Sequence, residues 1–182
     1  MWRDMEVCIR NATAYFGERD PAPHFEGDDA MSVTGLDAFD TTIHKTNIWL
    51  NDLMQILSWQ DRQRAYQALR ATLHALRDRL TLEEVAQFAA QLPLLVRGFY
   101  YESWDPTGKP LKERHREQFL ARIEQELRGD DGIDPEQVAR AVFTVLEKRV
   151  SEGEIKDVKH ILPTQIRDLW PRDAVKAHRE VS

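Results

Sequence analysis

Aromatic and basic side chains lie close together near the middle of the chain, between residues 100 and 116. Three aromatic rings come first, and after a turn they are followed by four cations: Lys109, Lys112, Arg114 and Arg116. Basic residues beside aromatic rings can bind single-stranded nucleic acid or other phosphates. The favoured interpretation is structural: the rings pack against the end of one helix, and the cations form the solvated start of the next. Cations at a helix start oppose the helix dipole, so this interpretation leaves the basic run partly unexplained.

Two arginines at equivalent positions, Arg97 and Arg167, are the second candidate for ligand binding. Each lies four residues after a proline, Pro93 or Pro163, that suits the first turn of a helix. The guanidinium group matches carboxylates and phosphates, so a pair of anion sites is one interpretation. The favoured interpretation is that each arginine binds carbonyl or carboxylate oxygens at a junction of two helices.

No catalytic group, metal site or cofactor is predicted. A di-metal site in a helical bundle needs repeated Glu-x-x-His pairs on inward faces. Asp157 and His160 come nearest to this spacing, but their counterparts in the first half are Gln87 and Ala90. The glycines are isolated, so a glycine-rich phosphate loop is absent from the sequence. An enzyme would need a pocket between the halves with titratable groups of perturbed pKa, and Asp157, His160 and Glu154 are its first candidates.

The elements that would position these residues are helices. From Leu36 onward the apolar residues recur with the period of an α-helix, and no sustained alternation typical of strands is found. A shift of 70 residues aligns 61–101 with 131–171 without a gap, and ten of the 41 positions are identical. Chance would give about two or three. The sequence therefore predicts an all-α fold with duplicated four-helix units, about eight helices in one compact helical bundle.

The way in which the two units pack is left open by the pattern, because both a pseudo-two-fold axis and side-by-side stacking fit it. Matching helix starts support the duplication itself. Thr81 with Glu84, and Ser151 with Glu154, have the spacing of a capping box. In that motif the hydroxyl accepts from a backbone N–H, and the glutamate reaches back to the N–H of the cap residue. We therefore expect a structural role for both glutamates.

The predicted organisation has five segments. The helical repeats are 31–104 and 112–171, and residues 105–111 connect them. The segment 1–30 carries a charge of −4 and has Pro, Gly and acidic residues without an apolar period, which predicts a disordered or dispensable stretch. Met1 and Met31 are alternative starts of the protein. Residues 172–182 are predicted to form a tail.

Composition excludes several classes of protein. The 182 residues include 25 basic and 31 acidic ones, for a net charge of −6, and 42% are hydrophobic. This balance predicts a folded globule and gives no basic field for nucleic acid. A single cysteine excludes an internal disulfide framework. No apolar run approaches the roughly 20 residues of a membrane span, so we expect no membrane partner and a cytoplasmic location.

Several stretches together carry a family resemblance: TNIWL at 46–50, RAY at 64–66, LRATLHALRDRL at 69–80, QLP at 91–93, RGFYY at 97–101, GKP at 108–110, VSEGEI at 150–155 and LP at 162–163. Through them, residues 34–171 resemble a family of uncharacterised bacterial proteins catalogued as domain of unknown function 2267. The resemblance implies a small, all-helical, duplicated bacterial domain. It implies no activity.

Three hypotheses for function are kept. The first is a non-enzymatic helical interaction or scaffold module, which binds a protein partner or associates with itself as a homo-oligomer. The second is a nucleic-acid or anionic-ligand binding protein, with nucleic acid the less favoured partner; it would use Arg97, Arg167, Lys109, Lys112, Arg114 and Arg116. The third is an enzyme with a site between the repeats.

Overall fold

Residues 34–112, 114–127 and 132–171 are described by a computed structural model of the chain. The predicted segments 1–30 and 172–182 lie outside these residues. The first half holds four helices: α1 (Asp37–Leu57), α2 (Arg62–Arg77), α3 (Leu82–Gln91) and α4 (Leu94–Tyr101). The second half holds four more: α5 (Arg116–Glu126), α6 (Pro135–Arg149), α7 (Glu152–Ile161) and α8 (Thr164–Arg167). No strand occurs within the described residues, so the all-α prediction with duplicated four-helix units is confirmed.

Local sequence signals set where the helices begin. The Asp61 carboxylate accepts from the backbone N–H groups of Gln63 and Arg64 at the start of α2. Asp134 accepts from the N–H of Glu136 at the start of α6, where Pro135 occupies the first turn. These contacts satisfy N–H groups that have no partner inside a helix.

The two predicted capping boxes differ in the structure. The Thr81 hydroxyl accepts from the N–H of Glu84 at 3.3 Å, as predicted. Ser151 precedes α7 in an extended conformation but makes no side-chain cap hydrogen bond. The threonine cap is thus present and the serine cap is absent, although the sequence pattern is the same.

The helix contacts follow a pseudo-two-fold arrangement. Helix α1 packs on α6, and its counterpart α5 packs on α2. Helix α2 packs on α6, and α3 packs on α7, so each of these helices meets its own counterpart. A rotation that exchanges the halves maps these contacts onto one another, which side-by-side stacking would not do. The two halves therefore interlock and share one core.

Aromatic and aliphatic side chains fill that core. Leu69, Leu73 and Leu76 of α2 are fully buried against Val142 and Leu146 of α6 in the same cluster. At one end, the rings of Phe143 and Trp170 stack with centroids 4.3 Å apart. Most of the apolar residues that recur with the helical period in the sequence are thus buried in this shared core.

Buried polar side chains join helices across the core. Arg77 donates to the carbonyl oxygens of Tyr100 and Glu102, which fixes the end of α4 to α2. The His74 ring lies between the Glu126 carboxylate, at 3.0 Å from Nδ1, and the Phe99 carbonyl oxygen, at 2.7 Å from Nε2. This contact joins α2 to both α4 and α5. None of the described helices is long and apolar enough to cross a bilayer.

Candidate functional site

Large apolar side chains are exposed where the start of α4 meets α1. Leu94 and Leu95 retain 57% and 48% of their accessible surface, and Phe39 of α1 retains 49%. The backbone N–H of Leu95 donates to the Thr42 hydroxyl at 2.9 Å, which holds the two helices together. We call Phe39, Ile43, Leu94 and Leu95 the α1–α4 face. Apolar side chains grouped in this way on a protein surface often mark an interaction site.

A first groove lies on one side of this junction, between α1, the turn from α3 to α4 and the end of α6. Its volume is about 560 Å³, and Leu94 is part of its wall. All three charged side chains that line it are cations: Lys45, Arg97 and Arg149. We call it the cationic groove.

The arginines of the cationic groove also hold helices together. Arg97 donates from Nε to the Ala89 carbonyl at 2.8 Å, and from Nη2 to the carbonyls of Ala90 and Leu92. It therefore caps the end of α3, where free carbonyl groups attract a cation. This contact is the structural interpretation that the sequence favoured for Arg97.

Arg149 and its neighbour Lys148 share one carboxylate. Arg149 Nη2 lies 2.5 Å and Lys148 Nζ 2.7 Å from the oxygens of Asp52, a residue of α1. Burial of Asp52 opposes its ionisation, but hydrogen bonds from Lys148 and Arg149 outweigh burial and lower its pKa. One negative charge between two positive ones leaves this end of the groove positive.

A second groove, of about 430 Å³, lies on the other side of the junction, between α1, α2 and α4. We call it the apolar groove because Ile43, Leu50, Tyr66, Leu95 and Phe99 form most of its wall. The rings of Tyr66 and Phe99 meet edge to face, with centroids 5.3 Å apart.

The charged residue of the apolar groove is also a cation. Arg62 Nη1 donates to Asn47 Oδ1 at 2.7 Å, and Nη2 donates to Asn51 Oδ1 at 3.0 Å. These partners are neutral amides, so they orient the guanidinium group without cancelling its charge.

The second half has a polar surface at the equivalent positions. The shift of 70 residues places Thr164 and Gln165 where the first half has Leu94 and Leu95. Thr164 and Gln165 line a cavity of about 420 Å³ with Arg114 and His115. The same fold is thus built with polar residues at these positions, so the exposed leucines are not a requirement of the fold.

The four cations between residues 109 and 116 have separate environments. Lys109 Nζ lies 2.5 Å from the Asp78 carboxylate, and Arg116 Nη1 lies 3.5 Å from the Glu136 carboxylate. Lys112 and Arg114 are exposed and line a shallow cavity of about 530 Å³. Within the described part of the chain, neither of these two has a carboxylate partner.

The aromatic rings before the connector belong to the core and its edge. Tyr100 is fully buried, and Trp104 packs 5.6 Å from the Tyr101 ring. A buried ring offers no face on which a base could stack. The structure thus places these rings at the end of α4, apart from the exposed cations Lys112 and Arg114.

Arg167 differs from Arg97 despite its equivalent position. Its Nη2 donates to the Thr164 hydroxyl at 3.3 Å, within the short helix α8. In the residues that the structure describes, the second half has no counterpart to the hydrogen bonds from Arg97 to backbone carbonyls. The structure therefore does not bring Arg97 and Arg167 into matching sites.

The residues considered for catalysis lie elsewhere. Glu154 of α7 and Glu84 of α3 each have one buried carboxylate oxygen without a hydrogen-bond partner. Burial raises the pKa of Glu154, and the charges of Glu84 and Asp157 raise it further. His160 and Asp157 are exposed on α7. None of the four cavities named above is lined by Glu154, Asp157 or His160.

The described residues also bring no metal-binding cluster together. No cluster of three or more His, Cys, Asp or Glu side chains in residues 34–112, 114–127 and 132–171 could hold a metal ion. The Asp157–His160 spacing therefore does not bring further ligands together in this part of the chain.

The sequence analysis missed the α1–α4 face. Leu94 and Leu95 follow Pro93 in an apolar stretch, so they look like ordinary core positions of α4. The signal that could have found them is the repeat itself, which pairs them with Thr164 and Gln165. An apolar pair that a duplicated copy replaces by polar residues is not needed for packing.

The comparison with known families gives one match. The sequence model of an uncharacterized conserved protein family, DUF2267, matches residues 46–169, which is more than half of the chain. The matched range includes α2 to α8 and most of α1. No curated protein matches the chain.

Proposed function

The chain belongs to the DUF2267 family of uncharacterized conserved proteins, and we propose that it is a non-enzymatic protein-interaction module that binds through the α1–α4 face. The observation that carries this proposal is the exposure of Leu94 and Leu95, by 57% and 48%, at positions where the second half has Thr164 and Gln165. Because the fold does not need these leucines, binding is the physical reason for their exposure. Covering them removes apolar surface from water, at roughly 25 cal/mol per Å².

The position of the face also supports binding. A groove lies on each side of the α1–α4 junction, so a partner can bury side chains in both. The start of α4 is fixed to α1 by the bond from the Leu95 N–H to Thr42, and the end of α4 is fixed to α2 through Arg77. A surface that is held in place before binding loses less conformational entropy when the partner arrives.

Catalysis is left out of the proposal because the carboxylates with the most unusual surroundings, Glu84 and Glu154, line none of the four cavities. The proposal includes a cytoplasmic location in a bacterial cell. The sequence resemblance supports the bacterial origin, and the single cysteine suits a reducing compartment.

The test replaces the two leucines by the residues of the second half. Full-length protein carrying Leu94→Thr and Leu95→Gln is compared with the natural protein as bait in a lysate of the source organism. Leu82→Thr is the matched control, because Leu82 is 56% exposed at the start of α3 and lines neither groove. We expect a stoichiometric protein partner with the natural bait and the control, and an at least tenfold lower yield with the double variant. Equal yields from baits with equal melting temperatures would contradict the proposal.

A second candidate function is the binding of nucleic acid or another anionic ligand by the second half. Lys112 and Arg114 favour it, because both are exposed beside a cavity without a carboxylate partner in the described residues. Lys109, Arg116, Arg97 and Arg167 have the hydrogen-bonding partners given above, so they contribute less to this candidate. The test is the salt dependence of oligonucleotide binding, which should be steep and should weaken with Lys112→Glu.

A further inference from the structure

The charged side chains that line the two grooves all have one sign. Lys45, Arg97 and Arg149 line the cationic groove, and Arg62 lines the apolar groove. Among the residues that the structure describes, no carboxylate lines either groove, although the whole chain has a net charge of −6. The sign of the charges that line the two grooves is thus opposite to that of the protein as a whole.

The contacts of these cations leave their positive charge largely in place. Arg97 binds backbone carbonyls, and Arg62 binds two amide side chains. Arg149 has a carboxylate partner in Asp52, but Lys148 shares it. Lys45 is exposed on α1. Within the described residues, a ligand with negative charge therefore gains attraction here without first breaking an ion pair of Lys45, Arg62 or Arg97.

The two grooves lie on opposite sides of helix α1. Both extend to the start of α4, where Leu94 lines the cationic groove and Leu95 lines the apolar groove. Residues 38, 41, 42, 45, 48 and 49 of α1 line the cationic groove, while residues 43, 46, 47 and 50 line the apolar groove. The lining of α1 extends over rather more than three helical turns, or roughly 18 Å, at 1.5 Å per residue. An amphipathic helix of similar length has apolar and charged sides that suit such a surface.

We infer that the partner bound at the α1–α4 face is an amphipathic helix with acidic side chains. Its apolar side covers Leu94, Leu95 and the apolar groove, and its carboxylates lie against the cationic groove. This inference rests on the proposed function, because it names the class of partner for the same face.

Two other occupants fit less well. A second copy bound through the same face would bring two copies of this cationic surface into one interface, and repulsion between like charges opposes that contact. Nucleic acid would bind the cations, but the exposed leucines between the grooves offer nothing to a sugar-phosphate backbone.

The test uses two designed 18-residue peptides as probes. Both carry leucines at the spacing of one helix face; one has glutamates on the flanking positions, and the other has lysines. Binding to isotope-labelled full-length protein is followed by amide chemical shifts, and affinity is measured by fluorescence anisotropy. We expect the acidic peptide to bind at least tenfold more tightly and to shift amides of residues 38–50 and 94–99.

A charge reversal makes the test specific. Lys45→Glu should lower the affinity for the acidic peptide several-fold and raise the affinity for the basic one, because Lys45 is exposed in the cationic groove. Lys156→Glu is the control, since Lys156 is exposed on α7 and lines neither groove. The control should leave both affinities within about twofold. Melting temperatures of both variants check that the fold is intact.

Other outcomes would overturn the inference. Equal affinities of the two peptides would show that this face binds apolar side chains without a preference for acidic partners. Tighter binding of a single-stranded oligonucleotide at these residues would assign the face to nucleic acid. Dimerisation that Leu94→Thr with Leu95→Gln abolishes would assign it to a second copy. Absence of peptide shifts at these amides would overturn the inference, and an unchanged yield of the leucine double variant as bait would overturn the proposed function as well.

Discussion

Arg97 and Arg167 make different contacts from equivalent positions in the two halves. Arg97 donates to three backbone carbonyls at the end of α3, whereas Arg167 donates to the Thr164 hydroxyl. The sequence predicted the kind of contact that Arg97 makes, because an arginine one turn inside a helix can reach the end of the preceding one. It could not predict the difference, since the chemistry of the two positions is the same.

This difference predicts unequal effects on stability. Arg97→Ala removes three hydrogen bonds from a charged donor to carbonyls at the end of α3, two of them part-buried, so we expect a loss of about 1–3 kcal/mol in the free energy of unfolding. Arg167→Ala should cost less than about 0.5 kcal/mol. Urea denaturation of the two variants measures both values. Equal losses would show that the contacts of Arg97 do not stabilise the fold.

Glu84 and Glu154 are a second pair of equivalent residues, and their contacts differ from those that the capping box predicted. The capping-box spacing predicted a reach back to the helix start, yet one carboxylate oxygen of each lies buried without a partner. The sequence could not indicate that α3 and α7 meet and bring the two acidic groups near each other. Their equivalence in the repeat is what places them together at the pseudo-two-fold axis.

This placement predicts a pH dependence of stability. The pKa of Glu154 is raised in the folded protein, by burial first and then by Glu84 and Asp157. Its contribution to stability is therefore fully present below the ordinary pKa and is lost as the pH rises through the raised value. Glu154→Gln should stabilise the protein at pH 7, by about 0.5 kcal/mol or more, and the gain should vanish towards pH 4.

Thermal unfolding between pH 4 and pH 8 measures this dependence. Glu83→Gln is the control, because Glu83 is exposed and its carboxylate bonds to the Gln87 side chain. A gain for Glu154→Gln that is equal at every pH, or that is matched by the control, would rule out the proposed cause.

At the scale of the element, α2 is the helix that holds others in place. His74 and Arg70 of α2 both contact the Glu126 carboxylate at the end of α5. The two nitrogens of the His74 ring face acceptor oxygens, so the ring can donate to both only when it carries both protons. The contacts of His74 and Arg70 with Glu126 could not be predicted from sequence, because these partners lie 52 and 56 residues apart in the chain.

The Glu126 contact predicts a local effect on α5. Glu126→Ala removes the partner of a buried histidine, so we expect a loss of about 1–3 kcal/mol and faster amide exchange in α5. Glu124→Ala is the control on the same helix, since Glu124 is exposed. Hydrogen exchange of α5 that is equally fast in both variants would contradict a role for this contact.

At the scale of the whole molecule, the first helix of each half packs both on the second helix of its own half and on that of the other half. Helix α1 packs on α6 of the other half, and α5 packs on α2. The sequence predicted the helices, their number and the duplication, because the apolar period and the repeat can be read directly from the order of residues along the chain. It could not predict the interlocking, since an apolar helix face has the same period whichever helix covers it. The predicted boundaries 31–104, 105–111 and 112–171 stay predictions.

The interlocking predicts that neither half is stable alone. A fragment of residues 34–104 lacks α6, so it would expose the side of α1 that packs there. We expect fragments 34–104 and 105–171 each to lack a cooperative thermal transition, and an equimolar mixture to regain one. Circular dichroism of the separate and mixed fragments measures this. A sharp transition in either fragment alone would contradict a shared core.

The most direct test of the central claim, that the protein binds a partner through the α1–α4 face, is site-specific photo-crosslinking in living cells. A photoreactive amino acid is placed at Phe39 of the full-length protein, and a control carries it at Leu82. We expect one discrete crosslinked protein from position 39, joined through an acidic amphipathic segment, and none of it from position 82. No crosslinked protein from position 39, or the same products from both positions, would contradict binding through this face.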